Sequence, residues 1–179
     1  MARKVEKEIK LRIAGPEAAR QAVRRAGARL VRPRHFEDNL LLDDRRFSLR
    51  SRGEVLRLRR TPDGSMLTFK GPRQESGAIK SRPEVEVVVG DADLMLQILG
   101  AVGFRPTFRY QKYRETWGYE GAEIVIDETP VGTFLEIEGK PAAIHRTAAA
   151  LGFARGDYIT DSYVGLFLAA GGRGDMLFS

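Results

Sequence analysis

Apolar and charged residues alternate along much of the chain. In residues 5–13 every even position is charged, whereas the odd positions are apolar except for Lys7. Because successive side chains of a β-strand point to opposite faces, this segment predicts a strand with one charged and one apolar face. Further strands are predicted over residues 30–42, 55–61, 66–71, 82–90, 108–117, 123–128 and 133–139. The turn sequence TPDGS joins residues 55–61 to residues 66–71 as a hairpin.

Helical patterns interrupt the strands in only a few places. Pro16 is placed to begin a helix in GPEAARQAVRRAGA, and Gly27 is placed to end it. A second helix is predicted in DADLMLQILGAVGF, capped by Asp91 or Asp93. The tail predicts two more helices, in AAIHRTAAALGF and DSYVGLFLAA. Because no internal repeat or low-complexity linker divides the chain, residues 1–179 are predicted to form a single α+β domain.

The charged rows of the strands allow two architectures. A flat antiparallel sheet would turn its charged face to water. A closed antiparallel barrel of eight strands would instead enclose a polar, charged lumen, with the apolar rows facing outward under the helices. The barrel explains better why basic residues cluster on some strands and acids on others, but the pattern alone leaves both architectures open. An outer-membrane barrel is disfavoured because helices interrupt the strand series and no export signal is present.

The amino-acid composition limits the classes of partner and metal ion that the protein is expected to bind. The chain has 179 residues, 30% of them charged and 42% hydrophobic, which is typical of a folded protein. Its net charge of +6 favours anionic partners. With no cysteine and only two histidines, any metal should be a hard cation held by carboxylates. No apolar run is long enough to span a bilayer and the first residues lack a signal-peptide core, so we expect a cytoplasmic protein without a membrane partner.

Carboxylates from both ends of the chain share the charged rows. They are Glu6, Glu8, Asp127, Glu136 and Glu138. Crowded carboxylates repel one another and raise one another's pKa, so a cation is expected between them. Mg²⁺ or Mn²⁺ suits this donor set, being commonly shared between protein carboxylates and phosphates. Glu136→Ala or Glu8→Ala is predicted to remove metal-dependent activity, while the fold survives or becomes more stable because like-charge repulsion is relieved.

A basic group occupies the complementary positions. It comprises Lys10, Arg57, Arg59, Lys70, Arg82, Lys112 and Arg114. Arginine grips phosphate oxygens with two parallel hydrogen bonds, and lysine supplies a point charge. A single phosphate cannot satisfy so many cations, whereas a triphosphate can. The two groups together predict a polyphosphate held along a barrel axis with metal at one wall.

The order of these motifs resembles one known family. EKEIK matches the ExExK signature of the CYTH superfamily, also called triphosphate tunnel metalloenzymes. LRLRR, TFKGP, SRPEVEV and KYR follow in the family's order, and DETPVGTFLEIEG resembles its closing signature. DSYVGL resembles the family's carboxy-terminal helix, so the resemblance covers nearly the whole chain.

The resemblance implies a closed eight-stranded tunnel that binds a triphosphate with Mg²⁺ or Mn²⁺. It places the five carboxylates on the metal side and the seven cations on the phosphate side, with Lys10 and Lys70 as catalytic candidates. Glu84 and Glu86 would orient the cations or hold a second metal. The expected activity is that of the class IV adenylate cyclase-like, thiamine triphosphatase-related branch, converting ATP to cyclic AMP and pyrophosphate.

Two alternatives accompany that assignment. One is a triphosphatase acting on thiamine triphosphate, a nucleoside triphosphate or tripolyphosphate. The other is a module that binds triphosphates or polyphosphate without turnover. A nucleic-acid partner is not expected, because the acidic row would repel its phosphates. A homodimer is left open.

Several residues lie outside this scheme. Members of the family commonly carry a tyrosine before an aspartate in the second strand region, and in some hydrolases that tyrosine pairs with a lysine to activate water. In this chain the corresponding stretch is HFEDNLLLDD, where leucines precede Asp43. Lys70 is therefore expected to act through its charge. His35 and His145 are interpreted as surface or packing residues. The arginines of residues 45–52 are interpreted as surface residues, with cover of a tunnel mouth or contact to a nucleotide as the alternative.

Overall fold

The computed structural model describes residues 4–76 and 78–179. Strands in this part of the chain are β1 (Lys4–Ile13), β2 (Arg29–Asp43), β3 (Val55–Thr61), β4 (Gly64–Lys70), β5 (Gln74–Ser76), β6 (Ile79–Val89), β7 (Arg105–Tyr119), β8 (Ala122–Thr129) and β9 (Gly132–Gly139). Helices among the same residues are α1 (Pro16–Arg25), α2 (Ser48–Ser51), α3 (Ala92–Ala101), α4 (Pro141–Ala150) and α5 (Tyr163–Ala169). All predicted elements are present, whereas β5 and α2 were not predicted.

Eight antiparallel strands close into a barrel in the order β1-β9-β8-β7-β2-β3-β4-β6. The ring closes because β6 pairs back to β1, with Glu6 opposite Arg82. The short β5 pairs with the beginning of β6. The predicted closed barrel is confirmed, and the flat sheet is excluded because every strand of the ring has a neighbour on both sides.

Apolar rows on the outer face of the barrel form the main core. Ile9 of β1 and Ile137 of β9 pack in one cluster with Val23 of α1 and Ile144 of α4. On the other side, Leu58 belongs to a second cluster that α3 covers. The helices thus cover the apolar face of the strands from outside, and the charged rows face the lumen. Among the described residues, no helix has the length and apolar character needed to cross a membrane.

Truncating this outer core should be costly. Ile137 is 0% exposed, and we expect Ile137→Ala to lower the free energy of unfolding by about 2–5 kcal/mol. Val87→Ala is the matched control, because Val87 lies on the outer face of β6 and is 56% exposed. Denaturant titration should find less than about 1 kcal/mol for the control. Equal losses in the two variants would contradict an outward core covered by helices.

Local chemistry explains where these elements begin and end. Pro16 begins α1, and Gly27 follows its end with a φ of 83°, a conformation that glycine adopts readily. Asp91 is the cap of α3, since its carboxylate accepts hydrogen bonds from the backbone N–H groups of Asp93 and Leu94 at 2.8 and 2.9 Å. The Asp43 carboxylate likewise accepts backbone hydrogen bonds from the short α2. These caps hold the connections close to the strand ends.

Candidate functional site

The charged rows meet inside the barrel. Lys70 Nζ of β4 lies 2.6 Å from a Glu6 oxygen of β1 and 3.3 Å from Glu84 of β6. Arg114 of β7 lies 2.7 Å from Glu136 of β9. Since β6 separates β4 from β1, and β8 separates β7 from β9, these side chains meet across an intervening strand. Such contacts form only on the concave side, so the rows line the lumen.

Strand register places opposite charges beside one another. Lys10 is opposite Glu136 in the β1–β9 ladder, and their side chains lie 2.9 Å apart. Arg114 is opposite Asp127 in the β7–β8 ladder, and Asp127 also accepts a hydrogen bond from Lys112 at 2.9 Å. Directly opposite side chains in antiparallel strands are close enough to pair. The lumen therefore holds acids and cations in mutual contact.

The acids differ in how this environment shifts their pKa. Burial raises the pKa of Glu136, but the charges of Lys10, Arg114 and Lys112 outweigh burial and hold it well below the usual range. For Glu6, burial is likewise outweighed by Lys70, and its pKa is lowered. The expectation that crowded carboxylates raise one another's pKa is wrong for Glu136 and Glu6. The charged group in contact with each carboxylate is a cation, Arg114 for Glu136 and Lys70 for Glu6.

Glu84 behaves in the expected way. Burial raises its pKa and the charges of Glu6 and Glu86 add to this effect, while Lys70 opposes it. Glu86 accepts a hydrogen bond from Thr68 at 2.8 Å and lies 3.6 Å from Arg57. Both glutamates thus touch a cation of the lumen, as an orienting role requires. That role remains a prediction.

Arginines dominate the wall formed by β3. Burial disfavours the charge of Arg57, but Tyr110 and Glu37 outweigh burial and raise its pKa. Burial and the neighbouring Arg57 lower the pKa of Arg59, which lies 3.1 Å from Glu37. Arg57 and Arg59 are adjacent, and Glu37 is shared between Arg59 and Lys112 while Glu86 lies beside Arg57. Three cations therefore face two carboxylates, which leaves an excess of positive charge. This wall suits an anion with several charges.

The Arg82 side chain contacts backbone carbonyl oxygens. Its row faces the lumen opposite Glu6, but its guanidinium donates to the carbonyl oxygen of Gly71 at 2.8 Å and to that of Gly53. These bonds hold two connecting segments together. Part of its donor capacity is therefore engaged by backbone, and phosphate binding by Arg82 remains a prediction.

Sequence reasoning missed several residues that line the lumen. Glu37 is 0% exposed and lies between Arg59 and Lys112, the latter at 3.6 Å. Lys80 pairs with Glu8 on the neighbouring strand. Asn39 and Tyr110 face each other in the β2–β7 ladder. The signal was available in HFEDN, where His35, Glu37 and Asn39 repeat at a spacing of two.

His35 was misplaced for the same reason. Its Nε2 lies 3.6 Å from a Glu37 oxygen and its side chain is mostly buried, so it belongs to the inward row rather than lying outside it. His145 packs on α4 instead, where its ring stacks on Tyr158. Of the two histidines, His35 therefore lies near the charged lumen and His145 does not.

The beginning of α5 supplies another side chain to the lumen. The Tyr163 hydroxyl donates to Asp127 at 2.8 Å, and Lys10 lies 4.4 Å from the centre of its ring. Tyr163 packs with Phe134, Tyr110 and Met176 in an apolar cluster. Tyr163, from the carboxy-terminal part of the chain, therefore places an aromatic ring in the lumen beside Asp127 and Lys10.

The donor set fits a metal that is shared with substrate. In residues 4–76 and 78–179, no three histidine, cysteine or acidic residues lie close enough together to hold an ion by themselves. Glu8 and Glu138 are directly opposite in the β1–β9 ladder, next to the pair of Lys10 and Glu136. Mg²⁺ is commonly held by one or two carboxylates together with phosphates and water. Two adjacent carboxylates meet that requirement, and the assignment of the five acids as metal ligands remains a prediction.

The arginine-rich segment after β2 lies at a separate cavity. Arg45 and Arg46 line a cavity of about 460 Å³ together with Phe104 and Arg105. Arg52 is instead paired with Glu54 at 2.8 Å. No contact places these arginines in the charged lumen, in the part of the chain that the structure describes.

Known proteins share this sequence pattern and this barrel. The sequence model of the CYTH domain matches residues 4–158. "Putative adenylate cyclase MJ0240" of Methanocaldococcus jannaschii is 29% identical over 135 residues, which cover 75% of this chain and 76% of that protein. A "putative adenylate cyclase" of Vibrio parahaemolyticus superposes with a TM-score of 0.79 at 19% identity, covering 93% of this chain and 99% of that one.

A plant protein has the same fold and a described activity. HpAC1 of Hippeastrum, a "putative adenylyl cyclase" that "reveals a dominant" triphosphatase activity, superposes with a TM-score of 0.70 at 21% identity. The match covers 94% of this chain and 97% of HpAC1. With the family match spanning most of the sequence, and with the barrel and its charged lumen as described, this chain belongs to the CYTH domain family.

Proposed function

We propose that this protein is a divalent-metal-dependent enzyme that acts on a triphosphate bound in the barrel lumen. The observation that supports it is the basic wall of Arg57 and Arg59, continued by Lys112 and Arg114, in a lumen otherwise closed by antiparallel strands. These cations contact internal carboxylates. A triphosphate would compete with those carboxylates and carries enough charge to engage several cations at once.

The residues divide the work as follows. Lys10, Arg57, Arg59, Lys70, Lys112 and Arg114, with the remaining donors of Arg82, would bind phosphate oxygens and stabilise charge that develops during phosphoryl transfer. The carboxylates Glu8 and Glu138, assisted by Glu6, Asp127 and Glu136, would hold Mg²⁺ or Mn²⁺. When bound, such an ion neutralises phosphate charge.

We place hydrolysis of the triphosphate ahead of cyclisation of ATP. HpAC1, which shares the fold, is described as having a dominant triphosphatase activity. Cyclisation of ATP also requires a site that binds the nucleoside. The aromatic side chains that could form such a site, Tyr110, Phe134 and Tyr163, are instead packed together in one cluster. The sequence had favoured the cyclase, and the name of the Methanocaldococcus jannaschii relative keeps it as the second candidate.

A substrate panel tests both candidates. The protein is incubated with Mg²⁺ or Mn²⁺ and with ATP, thiamine triphosphate or tripolyphosphate, and orthophosphate, pyrophosphate and cyclic AMP are assayed separately. Hydrolysis predicts orthophosphate release that EDTA abolishes. Cyclic AMP with pyrophosphate in equal amounts would assign the cyclase. Binding of all three compounds without any product would leave a triphosphate-binding module and refute the enzyme.

A further inference from the structure

Three hydrogen-bond donors without a partner lie next to one another on the basic wall. Arg57 Nη1 donates to the Tyr110 hydroxyl oxygen at 3.5 Å, and in the described part of the chain the Tyr110 hydroxyl makes no other hydrogen bond. Its own O–H is therefore unused, since a phenol donates one hydrogen bond besides those it accepts. Arg57 Nε and Asn39 Nδ2 are buried and also unpartnered.

Strand register keeps these donors together. Asn39 is directly opposite Tyr110 in the β2–β7 ladder and opposite Arg59 in the β2–β3 ladder. Tyr110 is 7% exposed, and Asn39 is 0% exposed. A buried donor without an acceptor is unfavourable, and native proteins usually satisfy such groups with protein, water or ligand. A ligand rich in oxygen atoms would supply acceptors to these three donors. The two Glu37 oxygens on the same wall also lack hydrogen-bond partners, although Arg59 lies 3.1 Å from one of them.

We propose that Tyr110 and Asn39 form, with Arg57, a subsite for one phosphate group of the triphosphate, in which the Tyr110 hydroxyl donates to a phosphate oxygen. This inference rests on the proposed triphosphate-binding lumen and extends it with two neutral donors. Neither residue is charged, so neither was among the cations that the sequence predicted. Arg57 orients the phenol by donating to its oxygen, which leaves the O–H directed elsewhere.

The surroundings of Tyr110 give the subsite a pH dependence. The charged groups that act on Tyr110 are Arg57 and Arg59 of β3 and Lys112 of its own strand. Asn39 of β2 lies directly opposite, and Phe134, Tyr163 and Met176 share an apolar cluster with Tyr110. Burial raises the pKa of Tyr110, but the charges of Arg57, Lys112 and Arg59 outweigh burial and lower it. As the pH rises through this lowered pKa, the phenol loses its proton. The donor is then lost and a negative charge appears beside the phosphate.

Binding of inorganic tripolyphosphate by calorimetry, in EDTA to prevent turnover, tests the subsite in the full chain. Tyr110→Phe should weaken binding at pH 7 by about 10- to 100-fold, because a hydrogen bond to a charged acceptor is lost. The ratio of the two dissociation constants should fall toward one as the pH rises through the lowered pKa of Tyr110, because the wild-type donor is then ionised. Lysine titration affects both proteins and cancels in the ratio.

Two further variants separate this role from a structural one. Tyr113→Phe is the matched control, since Tyr113 lies on the opposite face of β7 against Phe36, and it should bind like wild type at every pH. Asn39→Ala should weaken binding by a factor that does not change with pH. Thermal unfolding of each variant confirms that it is folded.

The outcomes are distinct. Wild-type affinity in Tyr110→Phe, or a deficit that stays constant as the pH rises through the pKa of Tyr110, overturns the subsite. Failure of the wild-type protein to bind tripolyphosphate, both in EDTA and with Mg²⁺, overturns both the subsite and the proposed function. The expected Tyr110→Phe pattern in a protein that releases no product supports the subsite and refutes only the enzyme.

Discussion

Lys10→Met should lower kcat/KM for the preferred triphosphate by about 100- to 1,000-fold, the loss seen when a preorganised group that stabilises developing charge is removed. Lys10 is 3% exposed, and its ammonium group lies between the Glu136 carboxylate and the Tyr163 ring. Burial disfavours its charge, but Glu136 and Glu8 outweigh burial and raise its pKa, so it stays protonated. Steady-state kinetics with Mg²⁺ measure the effect.

The variant should still fold, although it breaks the buried ion pair with Glu136. Glu136 keeps Arg114 at 2.7 Å when Lys10 is removed, so no buried carboxylate is left alone. Lys7→Met is the matched control, because Lys7 lies on the opposite face of β1. Its kinetics should match those of the wild type. If Lys10→Met retained activity within threefold of wild type, Lys10 would serve only to pair Glu136.

Glu136→Gln should lower the free energy of unfolding by about 3 kcal/mol, because it breaks a buried ion pair and leaves Lys10 without its nearest carboxylate. This reverses the sign expected from crowded carboxylates. The reversal arises because Glu136 contacts two cations, Lys10 at 2.9 Å and Arg114 at 2.7 Å, rather than another acid. Denaturant unfolding at pH 7 measures the loss. Metal-dependent activity should also fall.

The loss should depend on pH. A carboxylate whose pKa is depressed in the folded state contributes stability above its unfolded pKa, near 4.5, and that contribution disappears as the pH falls through the folded pKa. The pKa of Glu136 lies well below 4.5, so the difference between the wild type and Glu136→Gln should shrink only in that acidic range. A difference that did not vary with pH would show that the charge of Glu136 is not its source.

A surface carboxylate supplies the control for this prediction. Glu17 is 67% exposed and lies 3.9 Å from Arg20. Exposed ion pairs contribute about 0–1 kcal/mol, so Glu17→Gln should change stability by less than about 1 kcal/mol. A stable Glu136→Gln protein beside an equally stable Glu17→Gln protein would restore the repulsion account.

Much of the site follows from local pattern. The period of two assigned Glu6, Glu8 and Lys10 to one face of β1, and the same reasoning grouped Arg57 with Arg59. The order of motifs indicated the CYTH family, which the family match confirms. The assignment of residues 1–179 to a single domain, the ligand roles and a homodimer remain predictions.

Other features of the site were beyond local pattern. Tyr163 reaches Asp127 from a helix, so the alternation along the strands could not place it in the lumen. The engagement of Arg82 by two backbone carbonyls depends on how connecting segments fold over the strand ends. None of these contacts is encoded in the spacing of nearby residues.

By itself, the sequence determined which side chains share a strand face, because alternation is a property of a single extended segment. Only the tertiary structure decided that the strands close, that the charged faces turn inward, and that Lys10 meets Glu136 and Lys70 meets Glu6. The physical reason is that register between strands far apart in the chain chooses which charges pair. That choice turns a row of repelling acids into a lumen of stabilised ion pairs.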